Sequence, residues 1–285
     1  MAHLFARLIG MNDRWAKPFG EFNHRWVSAL FRPIRPVKDL LNGTWLGHPL
    51  HAVVTDVPIG ALTLALVLDL FGQPVGADIA ILVGVLTMVA SAVVGLADYA
   101  DTDGTARTRA TLHASLMVVA LLVYVASLAI RAGGPHDRTV AVLLSWVGFA
   151  ILAAGGLVGG EVVFAFGNMV NRHAWRGGGV KWIALELDGD GEIPEGRPTK
   201  ARLGINPLVL IRQGETILAL HDQCAHAGGP LSGGTIADGA IECPWHGSRF
   251  RITDGRLRRG PAVYDQPSYE IRRAEHGWEG RRAQA

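Results

Sequence analysis

Cysteine is nearly absent. Two residues in 285 cannot build the disulfide framework of a small secreted domain. Charge is scarce too: Asp, Glu, Lys and Arg make up 18% of the chain, below the soluble average of about 25%. The net charge of +2 lacks the basic excess of a nucleic-acid binder, so no nucleic-acid partner is expected. Aromatics are only 7%. Apolar residues fill the space left, at 49% of the chain with 36 glycines. That composition excludes disorder as the main state and points to a chain partly inside a membrane. The length allows about two domains. Eleven histidines in so weakly charged a chain stand out.

Three regions emerge. Residues 1–47 form a basic arm of net charge +4, residues 48–175 carry −3 and most of the apolar surface, and residues 176–285 carry +1 with an ordinary soluble composition. The reading is an interfacial arm, a four-helix transmembrane domain and a soluble C-terminal domain. The middle region holds four apolar runs, roughly 52–72, 77–97, 112–131 and 139–160. About 20 apolar residues are needed to cross the hydrocarbon. Asp56 and Asp69 interrupt the first run, and His113 and Arg131 bound the third. A single such run also suits a buried soluble helix; four in succession favour spans. Gly84, Ser91, Gly95, Gly148 and Gly155 are the small residues that let helices approach in lipid.

Basic flanks set the orientation. Arg7, Arg14, Lys17, Arg25, Arg32, Arg35 and Lys38 precede the first run, and Arg107 and Arg109 follow the second. Only Arg131 and Arg138 lie on the other side. Nine against two predicts a bacterial inner-membrane protein with both termini and the soluble domain in the cytoplasm. No secretory signal peptide is expected, because residues 1–31 have scattered arginines and no compact apolar core. MAHLFARLIG and HRWVSALFRPI read either as short interfacial helices on membrane lipid, with Trp15, Trp26 and Phe31 at headgroup depth, or as a poorly ordered basic arm.

From Val180 onward, alternating stretches such as VKWIALEL and TILALHD, broken by Gly, Pro and Asp, predict antiparallel strands of an all-β domain. Two segments interrupt them: Cys224-Ala-His226 and Cys243-Pro-Trp-His246. Two thiolates and two imidazoles suit zinc, or a 2Fe–2S cluster with two cysteines on one iron and two histidines on the other. Structural zinc sites usually pair two cysteines in one short knuckle. Here each loop pairs one Cys with one His, so each would reach both irons of a binuclear cluster.

With these motifs the tail closely resembles Rieske ferredoxin-type domains over about 180–275. Gly260-Pro261-Ala262 is similar to the family's proline loop, which shields the cluster. By that resemblance Cys224 and Cys243 bind one iron, and His226 and His246 bind the other at an exposed tip. Ser248 and Pro261 line the cofactor. Gly47-His-Pro-Leu-His-Ala-Val-Val-Thr-Asp-Val-Pro-Ile-Gly60 resembles the opening of an uncharacterised bacterial four-helix membrane family found fused to Rieske domains. Quinol-oxidising Rieske subunits have a disulfide between the loops, but the matching positions here are Gly229 and Trp245. Phe250 stands where those subunits place a tyrosine. Ring-hydroxylating oxygenases add a large catalytic domain with its own iron site, and about two dozen residues after Pro261 leave no room for one.

His48 and His51 sit three apart at the mouth of the first span, with Asp56 a turn deeper. An up–down bundle brings Asp98, Asp101, His113 and Glu161 to the same face. These groups are helix-end caps, ligands of a b-type haem or other metal through His51 or His48 and His113, or a quinone or proton site. His173 reads as a linker residue, and His3, His24, His136, His221 and His276 lack a partnered pattern. Two function classes remain. One is a tethered electron carrier serving a reductase, oxidase or oxygenase partner. The other is a membrane oxidoreductase whose bundle binds haem b or quinone.

Overall fold

The computed structural model describes residues 7–133, 138–175, 179–188, 191–275 and 277–284. His3, His136, His276, the first residues of the arm and the boundary at 176 lie outside them. The chain divides into two units, residues 1–41 with 50–168, and residues 42–49 with 169–285.

In the first unit, four helices are long and apolar enough to cross a membrane. Two arm helices, α1 (Asp13–Phe31) and α2 (Arg35–Asn42), precede them. The spans are α3 (Leu50–Leu70), α4 (Pro74–Tyr99), α5 (Gly104–Ala132) and α6 (Thr139–Phe164). At 1.5 Å per residue the shortest of them is about 30 Å long, enough for the hydrocarbon core. The most extensive packing is of α3 on α4 and of α5 on α6. Glycine makes that approach possible. A Cβ at Gly84 would stand 2.4 Å from Leu62, and one at Gly148 would stand 3.0 Å from the Tyr124 ring.

The arm is more ordered than either sequence reading. The helix α1 runs 19 residues and includes Pro18. Trp15, Phe19, Phe22, Trp26 and Leu30 recur every three or four positions and are all exposed, one continuous apolar stripe along the helix. Its other face docks on the bundle. Tyr99 Oη donates to the Gly20 carbonyl at 2.9 Å, and a Cβ at Gly20 would stand 2.5 Å from Thr111 Oγ1. Phe31, expected at headgroup depth, is instead buried beside Ala97 and Ala100. Ion pairs bind the same end: Lys38 with Asp101, and Arg109 with Asp13 and Glu161.

The opposite end is held by Arg131, which is buried. Its guanidinium donates to Asp69 at 2.9 Å and to Asp78 at 3.0 Å. Ser127 and Ser145 accept further bonds, each at 3.1 Å. Arg138 also pairs with Asp78. Asp69, one of the two aspartates that interrupt the first run, is therefore a partner in a buried ion cluster.

The second unit is antiparallel β. Strands β1 (Ile183–Leu187), β2 (Pro198–Leu203), β3 (Asn206–Gln213), β4 (Thr216–His221), β9 (Ser268–Ala274) and β10 (Gly277–Arg282) close a barrel in the order β1-β10-β9-β4-β3-β2. Between β4 and β9 the chain inserts a four-stranded sheet, β5 (Thr235–Ala237), β6 (Ala240–Glu242), β7 (Arg249–Arg251) and β8 (Leu257–Arg259). Three connections of this insert matter: 222–234 before β5, 243–248 between β6 and β7, and 260–267 after β8.

Replacing Arg131 by Met removes the cation and leaves the buried Asp69 carboxylate without its ion partner. Losing one partner of a buried pair costs about 3–5 kcal/mol. The expected outcome is a clear drop in thermal midpoint in detergent, partly recovered when Asp69→Asn is added. An unchanged midpoint would show that the cluster is not structural.

Candidate metal centre

Cys224 and Cys243 open two loops with the same backbone turn. Cys224 N–H donates to the Gly229 carbonyl at 2.9 Å, and its carbonyl accepts from Gly228 N–H at 2.9 Å. Cys243 N–H donates to the Ser248 carbonyl at 2.8 Å, and its carbonyl accepts from Gly247 N–H at 3.0 Å. The glycine four positions after each cysteine has a positive φ, 83° at Gly228 and 78° at Gly247, a conformation that glycine adopts without strain. The turn folds backbone amides over each sulfur: His226 and Ala227 N–H onto Cys224, Trp245 and His246 N–H onto Cys243.

Both cysteines are buried, and their sulfurs share a hydrogen bond. That bond, then burial, pushes the Cys224 thiol well above its ordinary value. The same bond, with the Trp245 and His246 amides, draws Cys243 down to about 7 against the effect of burial. The amides aimed at each sulfur favour the thiolate, the form that ligates a metal.

The imidazoles pair separately. His226 and His246 have ring centroids 5.0 Å apart, with planes at 84°. Two imidazoles on one tetrahedral metal, with bonds of about 2.0–2.1 Å, put their ring centres roughly 5 Å apart. Among the described residues no three His, Cys, Asp or Glu gather around one point. The donors pair as two sulfurs on one side and two imidazoles on the other, the set a binuclear cluster takes. Exposure departs from the expected open tip: His246 is half-buried, but His226 is only 4% exposed. Residues 169–175 belong to the same unit, and Arg172 Nε lies 3.5 Å from the His226 carbonyl oxygen.

Neighbouring side chains brace the loops. Ser248, wholly buried, accepts from Ala262 N–H at 3.0 Å and so ties the proline loop to the second cysteine loop. Pro261 is buried in that loop. Phe250 is buried in the core beside both cysteines. Where the resemblance leaves Gly229 and Trp245 in place of a disulfide, the two residues touch: a Cβ at Gly229 would stand 2.8 Å from the indole and 3.0 Å from Cys243 Sγ.

Gln266 escaped the sequence reading. Buried, it donates to the His221 and Gln223 carbonyls, both at 2.6 Å, and accepts from Ala225 N–H at 2.9 Å. Arg259 likewise binds the Gly247 carbonyl at 3.0 Å and Glu242 at 3.0 Å. His173 is not a plain linker residue: it is buried with its ring 4.5 Å from that of His221. In the helical unit His51 and His113 come together with centroids 6.4 Å apart. His48 is exposed and bonds its neighbour Pro49, while Asp56 is exposed.

Fold and donor set define an iron–sulfur β domain joined to a four-helix membrane domain. Residues 183–270 match the Rieske 2Fe-2S domain, and residues 47–172 match a family described as predicted membrane protein (DUF2231). The ferredoxin subunit of anthranilate 1,2-dioxygenase from Burkholderia cepacia is 33% identical over 81 residues, 28% of this chain and 75% of that subunit. Human apoptosis-inducing factor 3 is 28% identical over 81 residues, and this chain spans only 13% of its length. A solved complex of reduced oxygenase and oxidised ferredoxin in carbazole 1,9a-dioxygenase has a chain 26% identical, covering 36% of this chain and 97% of its own, with a TM-score of 0.32. The chain belongs to the Rieske 2Fe–2S family, and its cofactor is a 2Fe–2S cluster.

A branched side chain at Gly229 meets Cys243 Sγ and the indole together. Gly229→Val is expected to cost about 1–3 kcal/mol through overpacking and to lower iron and labile sulfide per chain. Adding Trp245→Ala relieves the indole clash alone and should restore part of the loss. Full cofactor content in the single variant would disprove the close approach.

Proposed function

We propose that this protein is a membrane-anchored one-electron relay, with an interfacial arm over 1–47, a transmembrane domain over 48–175 and a Rieske domain over 176–285. The observation that carries it is the division of four donors into a sulfur pair and a nitrogen pair on two matching loops. Cys224 and Cys243 hold one iron, and His226 and His246 hold the other. When bound, the cluster accepts and releases single electrons. The chain's own residues fix its surroundings. Backbone amides at 226, 227, 245 and 246 stabilise sulfur charge, Ser248 anchors the proline loop, and Gln266 and Arg259 hold the loop carbonyls. Half-buried His246 is the side from which a redox protein approaches. The similarity to dioxygenase ferredoxin subunits supports a reductase on one side and an oxygenase or oxidase on the other. The exposed aromatic stripe of α1 supports contact with membrane lipid.

The Rieske domain faces the cytoplasm in this reading. Beyond the excess of basic residues on that side, Arg131 and Arg138 on the other are paired with Asp69 and Asp78. A reporter fused to the C-terminus is therefore expected to behave as cytoplasmic, and activity only when exported would reverse the orientation.

Detergent-purified protein should contain about two irons and two acid-labile sulfides per chain, with the paramagnetic signal of a reduced Rieske centre. His246→Ala should abolish that signal and leave the helical unit in the membrane. Stoichiometric zinc without iron in native preparations would sink the reading.

A further inference from the structure

His51 and His113 are held by the same local device, repeated on two helical hairpins. On the first, His51 of α3 has Nδ1 3.0 Å from the Ser91 carbonyl oxygen of α4, and its ring lies on Gly95, where a Cβ would stand 2.8 Å from Cε1. On the second, His113 of α5 has Nδ1 2.8 Å from the Gly155 carbonyl oxygen of α6, and its ring lies on Gly159, where a Cβ would stand 2.8 Å from Nδ1. In each case the acceptor lies four residues before the glycine. A carbonyl inside an intact helix already accepts from the amide four residues on. These histidines therefore cap no helix end. Each bond sets the tautomer, with the proton on Nδ1 and the lone pair on Nε2, the arrangement that orients metal-ligating imidazoles.

The separation of the rings says what kind of metal. Their centroids are 6.4 Å apart, with planes at 82°. Two imidazoles trans to each other across one metal, with bonds of about 2.0–2.1 Å and about 1.1 Å from nitrogen to ring centre, give roughly 6.3 Å. The His226–His246 pair, at 5.0 Å, has the tetrahedral value instead. A trans pair leaves the equatorial positions open. Among the described residues no third His, Cys, Asp or Glu joins to fill them. Equatorial donors to a metal held there would come from outside these residues, and a porphyrin supplies four nitrogens in one plane. Cofactor sites built from facing helices in a bundle core follow this plan.

We propose that His51 and His113 are the two axial ligands of a b-type haem bound in the helical unit. This goes beyond the relay reading, which needs only the Rieske cluster, and the two can fail separately.

The test uses full-length protein purified in mild detergent from cells supplied with a haem precursor. The expected result is one protoporphyrin-IX haem per chain by the pyridine haemochrome assay, with the near-infrared and paramagnetic signatures of bis-imidazole low-spin iron. His51→Ala and His113→Ala should each abolish the low-spin signature while the Rieske signal persists, which reports an intact chain. His113→Met should keep haem and replace the bis-imidazole signature by a His–Met one. Should the alanine variants not be recovered, the wild-type signature and the Met variant decide. Haem-free wild-type protein, a non-porphyrin metal at the pair, or a bis-imidazole signature that survives loss of either histidine would overturn the proposal. Haem without labile sulfide would leave it standing and overturn the relay reading.

Discussion

Burying sulfur charge is the constraint on which the β unit depends. Cys224 and Cys243 lie in one apolar cluster with Leu231, Ile241, Phe250 and Ile252. A thiolate there loses its hydration and needs donors in exchange. Backbone amides provide them only if the chain turns back over its own sulfur. That turn in each loop rests on a left-handed residue four positions on, hence Gly228 and Gly247. Loops so tightly wound must be carried on short rigid strands, and the insert β5–β8 supplies them. Asp222 accepting from Ser232 N–H at 2.6 Å and Gln266 spanning residues 221–225 then fix the first loop to the barrel.

The candidate donor set could be picked out of the sequence because its spacing is local. C-x-H and C-x-x-H each occupy a handful of residues, and no other cysteine competes. What braces the donors was not legible. Gln266 lies about forty residues from the loop it holds, and a lone glutamine after a proline loop carries no pattern. The same holds for Gly255, where a Cβ would stand 1.8 Å from the Gln266 carbonyl oxygen. The contact of Trp245 with Gly229 also exists only after folding. His226 is also buried, and nothing in a short C-x-H motif encodes that.

In the helical unit the apolar runs were plain, since a span needs length and hydropathy and little else. The arm was harder. Pro18 and Gly20 both look like breaks, yet α1 runs through both, with Pro18 as its sixth residue removing one intrahelical amide donor. Gly20 is the point where α1 meets Thr111 and Tyr99. The intramembrane charges read as liabilities, and the structure turns three of the acids into halves of pairs: Asp69 with Arg131, Asp101 with Lys38, Glu161 with Arg109. Their partners lie on other helices, so sequence alone could list the acids but not match them.

That pairing separates the histidines of the same unit from the charges around them. The buried Asp69, Asp101, Arg109 and Arg131 each have an opposite charge in reach, which is what stability alone requires. His51 and His113 have instead a carbonyl each and one another. A residue selected only for packing at these positions would be aliphatic, since the carbonyls it meets are already bonded within their helices. Glycine opposite each ring costs helix propensity of roughly 1 kcal/mol against alanine, and it does so twice, at equivalent places on two hairpins. A device repeated at such a cost, and converging on one point, has the character of a binding site and not of a core.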